Sequence, residues 1–256
     1  MQPALGSPGS AVVVTGGASG IGRASARALA AVGRPVALWD LDAAGCTSGA
    51  EALAREYGVA SAGVAVDLRD PHAIAPALDR TRAALPPIGG LVHAAGVVAT
   101  IPVDEITAES WDAVLDVNLR AMVLLVRALL PDLRACRGSA VVGIASVNAT
   151  LGNAAIPAYS ASKGGLLSLV RSLADDIARD GIRINAVSPG QIRTPMLQPS
   201  IDLLPEGAYE RRILLGRLGE PEEVGRVVRF LLSDESSYLT AAEIVVDGGN
   251  ISSQRI

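Results

Sequence analysis

Short apolar runs alternate along this chain with longer segments in which Ala, Leu and Arg recur at helical spacing. Seven runs read as strands: 11–16 (AVVVTG), 35–40 (PVALWD), 62–67 (AGVAVD), 90–96 (GLVHAAG), 139–146 (SAVVGIAS), 182–190 (IRINAVSPG) and 242–249 (AEIVVDGG). Between them, 20–32, 43–57, 71–84, 109–135, 158–180 and 220–233 carry a helical period. Strict alternation of strand and helix predicts a parallel sheet covered on both faces. The strands are almost continuously apolar, as burial on both faces requires. No domain boundary, internal repeat or low-complexity tract interrupts the pattern. Residues 11–256 therefore read as one α/β domain, doubly wound around a seven-stranded parallel sheet, after a disordered start at 1–10.

Composition narrows the classes. Half of the 256 residues are apolar, so a large core is available; with aromatics at 3%, Ala, Val, Leu and Ile must build it. A net charge of -4, with Arg scattered among acidic residues, argues against a nucleic-acid surface. Cys46 and Cys136 are too few for a disulfide framework, and without CxxC or a His/Cys cluster no metal is expected. Residues 1–10 lack the basic start of a signal peptide. No run approaches the ~18 apolar residues of a membrane span. A cytoplasmic protein is expected.

The first strand runs straight into TGGASGIG, residues 15–22, and then into a helix. Gly16 can take the tight turn, Gly20 lets a backbone approach a pyrophosphate, and Gly22 lets the helix pack close. Exposed N–H groups at the helix start favour an anion. At the first strand-to-helix junction this pattern predicts a dinucleotide site and a Rossmann-type fold. Asp40 ends the second strand, 18 residues beyond Gly22. A carboxylate there accepts from the adenosine ribose and repels a 2′-phosphate, which predicts NAD rather than NADP. Asp67 ends the third strand, where it can bond the adenine amino group beside Leu68 or cap the next turn.

Of 22 basic side chains only Lys163 is lysine, four residues after Tyr159. On a helix, that spacing puts both on one face. A compact ammonium is not interchangeable with guanidinium at a chemical site. A free Tyr titrates near 10, and a fixed cation nearby lowers that value. Lys163 is therefore expected to depress the Tyr159 pKa, making the phenol a general base for alcohol oxidation and an acid for ketone reduction. Ser146, thirteen residues before Tyr159, can donate to the substrate oxygen.

These motifs, taken together, resemble the classical short-chain dehydrogenase/reductase (SDR) family. The resemblance runs from residue 11 to 249 and rests on TGGASGIG, YSASK (159–163), Ser146, Asn118 in WDAVLDVNL, SPGQIRTPM (188–196) and the stretch 217–249. It implies a catalytic set of Asn118, Ser146, Tyr159 and Lys163, with the Asn118 carbonyl holding a relay water and Lys163 the ribose hydroxyls. The implied cofactor set is Gly16, Ser19, Gly20, Ile21, Gly22, Asp40, Leu41, Asp67, Leu68, Ala95, Gly96, Tyr159, Lys163, Pro189, Gly190, Ile192 and Thr194, with Thr194 on the carboxamide. A homotetramer is implied, built on helices 109–135 and 158–180. Two departures stand out: HAAG, with His93 and Ala94, replaces the frequent NNAG, and Thr240-Ala241 replaces Thr-Gly.

Substrates of this architecture bind beyond the carboxyl ends of the strands. That selects Val97, Val147, Asn148, Asn153, Met196 and Leu197, with 191–216 as a mostly apolar lid. A secondary alcohol or its ketone is expected. The alternatives are an NADPH-dependent 3-oxoacyl-carrier-protein reductase, whose acidic partner Arg137 suits and Asp180 opposes, and a non-catalytic NAD-sensing protein.

Overall fold

The computed structural model describes residues 9–252. The expected disordered start thus lies outside the described residues except at Gly9 and Ser10, and Ser10 accepts from the buried Arg34 through its carbonyl and hydroxyl oxygens. Seven strands, β1 (Ala11–Thr15), β2 (Val36–Asp40), β3 (Ser61–Ala65), β4 (Ile88–His93), β5 (Ala140–Ile144), β6 (Arg183–Pro189) and β7 (Glu243–Val246), form one sheet in the order β3-β2-β1-β4-β5-β6-β7. Every pairing is parallel. The order reverses between β1 and β4, and that crevice is where such a sheet receives ligands.

The two faces explain the apolar runs. Val12, Val14, Val36 and Leu38 face helices α1 (Gly20–Ala30), α2 (Ala43–Tyr57) and α8 (Pro221–Leu231). Their neighbours Ala11, Val13, Ala37 and Trp39 face α3 (Ile74–Ala84), α5 (Ala121–Ala135) and α6 (Pro157–Ile177). The central strands are covered on both sides, so a polar group there needs a partner, whereas the edge strands β3 and β7 are only partly buried. Helix α2 shows how local the signals are. Asp42 accepts from the Gly45 N–H at its start, and Gly58 closes it in the left-handed conformation at φ 67°.

Several boundaries depart from the sequence reading. The segment 109–135 is not one α-helix. It comprises α4 (Ala108–Leu115), a π-turn over Asp116–Arg120 and then α5. One inserted residue hardly disturbs a 3.6-residue period, so the pattern could not register it. The helix at 71–84 begins with a 3₁₀ turn, Pro71–Ala73, and β4 stops at His93, short of Gly96. The stretch 191–216 holds a two-turn helix, α7 (Gln198–Leu203). No helix among the described residues is long and apolar enough to cross a membrane.

Candidate active site

The cradle forms where β1 turns into α1. Gly16 sits at φ 66°, and a Cβ there would lie 2.8 Å from the Ala95 nitrogen. A Cβ on Gly22 would run into the Gly16 carbonyl, and Gly20, at φ 49°, faces Thr194. Gly16 and Gly22 thus allow backbone segments to approach more closely than any side chain would permit, and Gly20 keeps a left-handed turn facing Thr194. Ser19 opens α1 without a side-chain cap, which leaves the first-turn N–H groups for an anion.

Above this turn lies a cavity of about 650 Å³. Its walls include Gly16, Ser19–Gly22, Asp40, Leu41, Asp67, Leu68, Ala95–Val97, Thr194 and Met196 from the sequence reading. They also include Val98 and Ala99, directly after Val97, Pro195 within 191–216, and residues that reading missed: Trp39, Val66, Arg69 and a stripe on α4 and the π-turn, Ser110, Ala113, Val114 and Val117. The apolar stripe of α4 was the available signal, but it reads equally well as core. The residues fit a dinucleotide: a glycine turn for the pyrophosphate, a carboxylate beside it for a ribose, and apolar walls around them. The Asp40 carboxylate is fixed by the N–H groups of Ala18 at 3.1 Å and Asp42 at 3.2 Å.

Asp67 turns out to serve its own turn. Its carboxylate accepts from the Arg69 N–H at 2.9 Å and from the Arg69 guanidinium at 2.6–3.0 Å, and this pairing draws its pKa down. Pro189, Gly190 and Ile192 stand behind the cavity rather than on it. Gly190 is pressed against Asp247, with only 2.7 Å for a Cβ, and Ile192 bridges to Gly219. Among the expected substrate contacts, Val97 and Met196 line the cavity. Val147 is buried, Asn153 caps the Ala155 N–H, and the Leu197 N–H donates back to Thr194; these and Asn148 lie off its wall.

The four expected catalytic residues lie close together beside the cavity, and two of them, Asn118 and Lys163, meet it at Gly96. A Cβ on Gly96 would lie 3.4 Å from Asn118 Oδ1 and 3.5 Å from Lys163 Nζ. Asn118, fully buried in the π-turn, accepts from the Val97 N–H at 2.8 Å and donates to the Val97 carbonyl and to Ser162 Oγ, each at 3.0 Å. Ser162, which the sequence reading passed over, donates in turn to the Tyr159 carbonyl at 2.7 Å. Ser146 follows β5, and its Oγ accepts from the Asn148 N–H at 3.1 Å, leaving its proton free to donate. Lys163 Nζ donates to the Ile144 carbonyl at 2.7 Å and lies 5.5 Å from the centre of the Tyr159 ring.

The electrostatics correct one expectation. Burial pushes the Tyr159 phenol up, with a hydrogen bond from Ser146 opposing it. Lys163 does not dominate, because burial also disfavours its own charge and lowers its pKa from 10.5 to about 8. The sequence reading weighed the cation without the desolvation of both groups.

The comparisons agree with this geometry. A family model described as Enoyl-(Acyl carrier protein) reductase matches residues 16–250. The chain is 34% identical to the 3-alpha-(or 20-beta)-hydroxysteroid dehydrogenase of Mycobacterium tuberculosis over 95% of its own length and 90% of that protein. It is 36% identical to cis-4-hydroxycyclohexanecarboxylate dehydrogenase of Sinomonas cyclohexanicum, over 93% of this chain and 94% of that one. Its fold matches L-sorbose reductase from Gluconobacter frateurii, solved with NADPH and L-sorbose, at a TM-score of 0.91 and 28% identity, covering 98% and 99% of the two chains. With a switch-point glycine cradle, a Tyr-x-x-x-Lys pair beside it and relatives matched end to end, this chain belongs to the classical short-chain dehydrogenase/reductase family.

Proposed function

We propose that the protein is an NAD-dependent oxidoreductase that interconverts a ring-bearing secondary alcohol and its ketone, with Tyr159 as general acid/base. The observation that carries this reading is the placement of Lys163 and Asn118 against Gly96 on the wall of a cavity large enough for a dinucleotide, with Tyr159 one helical turn from Lys163. Gly16, Gly20 and the start of α1 would hold its pyrophosphate, Asp40 its ribose and Thr194 its carboxamide. A bound nicotinamide would supply the hydride donor or acceptor and, when oxidised, a positive charge near Tyr159.

The chain's own residues handle the proton. Ser146 donates to the substrate oxygen and stabilises charge developing on it. Tyr159 gives its phenolic proton to that oxygen during reduction or takes it during oxidation. The phenol carries its proton, the form that reduction needs, and burial makes that proton harder to lose. Oxidation requires the phenolate, which a protonated Lys163 favours.

Two supports point to the substrate class. The relatives above are named for a steroid and a hydroxycyclohexane substrate. The cavity wall carries exposed apolar side chains, Leu41, Val97, Val98 and Met196. An apolar ring fits such a wall better than a charged chain does.

A 3-oxoacyl-carrier-protein reductase using NADPH is the second reading, favoured by the description of the matching family model. Asp40 opposes it, and so does Asp180, whose carboxylate pairs with Arg134 at 2.8 Å. The family resemblance further supports a cytoplasmic homotetramer, which light scattering on the purified protein checks. A panel of cyclohexanols, cyclopentanols and hydroxysteroids with NAD or NADP, followed by absorbance of the reduced cofactor, decides between the readings. Ring alcohols turned over with NAD support the first. Turnover of a 3-oxoacyl thioester with NADPH alone would replace it with the second.

A further inference from the structure

His93 is fully buried at the end of β4, between the glycine turn and the π-turn that carries Asn118. Its Nε2 lies 3.1 Å from the Val117 carbonyl, which can only accept, so Nε2 carries the hydrogen. The Asn118 carbonyl also faces the ring. Burial and the nearby Lys163 charge hold the imidazole neutral, with its pKa lowered to about 3. Nδ1 is therefore an acceptor, and the Thr15 hydroxyl donates to it at 3.1 Å. The Thr15 oxygen in turn accepts from the Ala95 N–H at 3.2 Å. Each hydrogen has one place to go, and a continuous chain results: Ala95, Thr15, His93, Val117.

That chain joins the end of β1 and the turn after β4 to the π-turn. Thr15 precedes Gly16, Ala95 precedes Gly96 and Val97, and Val97 is tied to Asn118; Gly16, Ala95, Gly96, Val97 and Val117 all line the cavity. A π-turn departs from the regular ladder of helix hydrogen bonds and needs outside donors to hold one geometry. We propose that His93 is a positioning residue: a neutral donor–acceptor bridge that clamps the end of β1 to the π-turn and so sets the orientation of the Asn118 peptide and the gap between the cavity walls. This goes beyond the reaction proposed above, which gives His93 no part.

The test uses the full chain with three variants. His93→Phe keeps the ring's bulk and removes both polar contacts. His93→Gln offers one acceptor and one donor at similar separation. Thr15→Val removes the Nδ1 link and the Ala95 N–H contact and leaves the Val117 bond in place. Hydrogen exchange read by mass spectrometry reports residues 112–122 against the sheet core, and calorimetry reports NADH affinity. In His93→Phe, amides of 116–121 should exchange at least about tenfold faster and NADH should bind roughly tenfold more weakly, as expected when buried polar groups lose their partners. Exchange in the core of β1 and β5 should stay unchanged, and His93→Gln should recover most of both losses. Equal exchange at 116–121 in His93→Phe and the unaltered protein overturns the proposal. So does a Gln variant as impaired as Phe with exchange raised throughout the sheet, since His93 would then be only core filling. If His93→Phe fails to fold, Thr15→Val decides: faster exchange at 116–121, in addition to the Ala95 amide that loses its own acceptor, supports the bridge, and native exchange at 116–121 refutes it. The exchange readout needs no turnover, so a protein inactive on every ring alcohol would leave this inference standing.

Discussion

At the scale of single residues, the site is a contest between charge and burial. Lys163 is only 4% exposed, and its pKa falls from 10.5 in a free chain to about 8 in the fold. Between those values the unfolded chain binds more protons than the folded one, so this group makes stability rise as pH rises from about 8 to 10.5. Below pH 8 its burial is a standing cost. Lys163→Met is therefore expected to gain ~1–2 kcal/mol at pH 7, after the lost Ile144 contact is counted, and to flatten that alkaline slope. Urea titrations at pH 7 and 9.5 check both points, and an unchanged slope refutes the shift. Activity should move the other way, since no cation remains to favour the phenolate. Tyr159→Phe removes a single phenolic oxygen, one that burial makes harder still to ionise. Turnover should fall by at least ~10²-fold while calorimetry still finds NADH bound. Asp40 acts more simply. Asp40→Ser should narrow the ratio of kcat/KM for NAD over NADP by roughly tenfold or more, through lost charge-assisted bonds and relieved repulsion. A native ratio already favouring NADP would end the NAD assignment.

At the scale of elements, closeness of backbone matters more than side-chain chemistry. The turn from β1 to α1 works because Gly22 rests on the Gly16 carbonyl. Gly22→Ala has no flexible neighbour to push aside and should shift α1, weakening NADH binding by at least about tenfold while the sheet stays folded. Circular dichroism and calorimetry separate the two effects. The stretch between β6 and α8 shows the opposite sensitivity. Met196 lines the cavity, whereas Leu197 is turned off its wall by the bond to Thr194. Met196→Ala should raise KM for the alcohol several-fold, and Leu197→Ala should change it little. Equal effects would place the substrate elsewhere along α7.

At the scale of the whole molecule, stability and chemistry occupy opposite ends of the sheet. The site lies beyond the carboxyl ends of the strands. At the other end, Arg34 is 1% exposed and donates to the carbonyls of Ser10, Gly89 and Leu232. Arg183, leading β6, donates to those of Leu231, Ser233 and Leu239. Two guanidiniums thus gather the carbonyls where α8 ends and tie them to β1, β4 and β6. Burial drives the Arg34 pKa down to about 10, with Asp234 opposing. Arg34→Met should cost about 2–3 kcal/mol, since the orphaned carbonyls outweigh the relief of a buried charge. That corresponds to roughly 5–10 °C in Tm. Because the change is remote from Gly96, kcat should hold at temperatures where the variant is folded. A large kcat loss with an unchanged Tm would show the two ends to be coupled.

The amino-acid sequence by itself determined what is local. Apolar runs covered on both faces specified the seven-stranded sheet, and the glycines of residues 15–22 specified the cradle at its first turn. Tyr159 and Lys163 share a helix face because four residues span about one turn. The family follows from those motifs in their order. Only the tertiary structure decided what depends on partners far along the chain. The link from His93 to Thr15 spans 78 residues, and that from Arg34 to Leu232 spans 198. The π-turn under Asn118 is one residue of slack in a helix, invisible to a periodic pattern but held by bonds to β4 and to Val97. The Tyr159 pKa moved opposite to expectation for the same reason. Sequence spacing reveals which charge stands near the phenol, whereas desolvation depends on everything packed around both groups, and that is known only once the chain has folded.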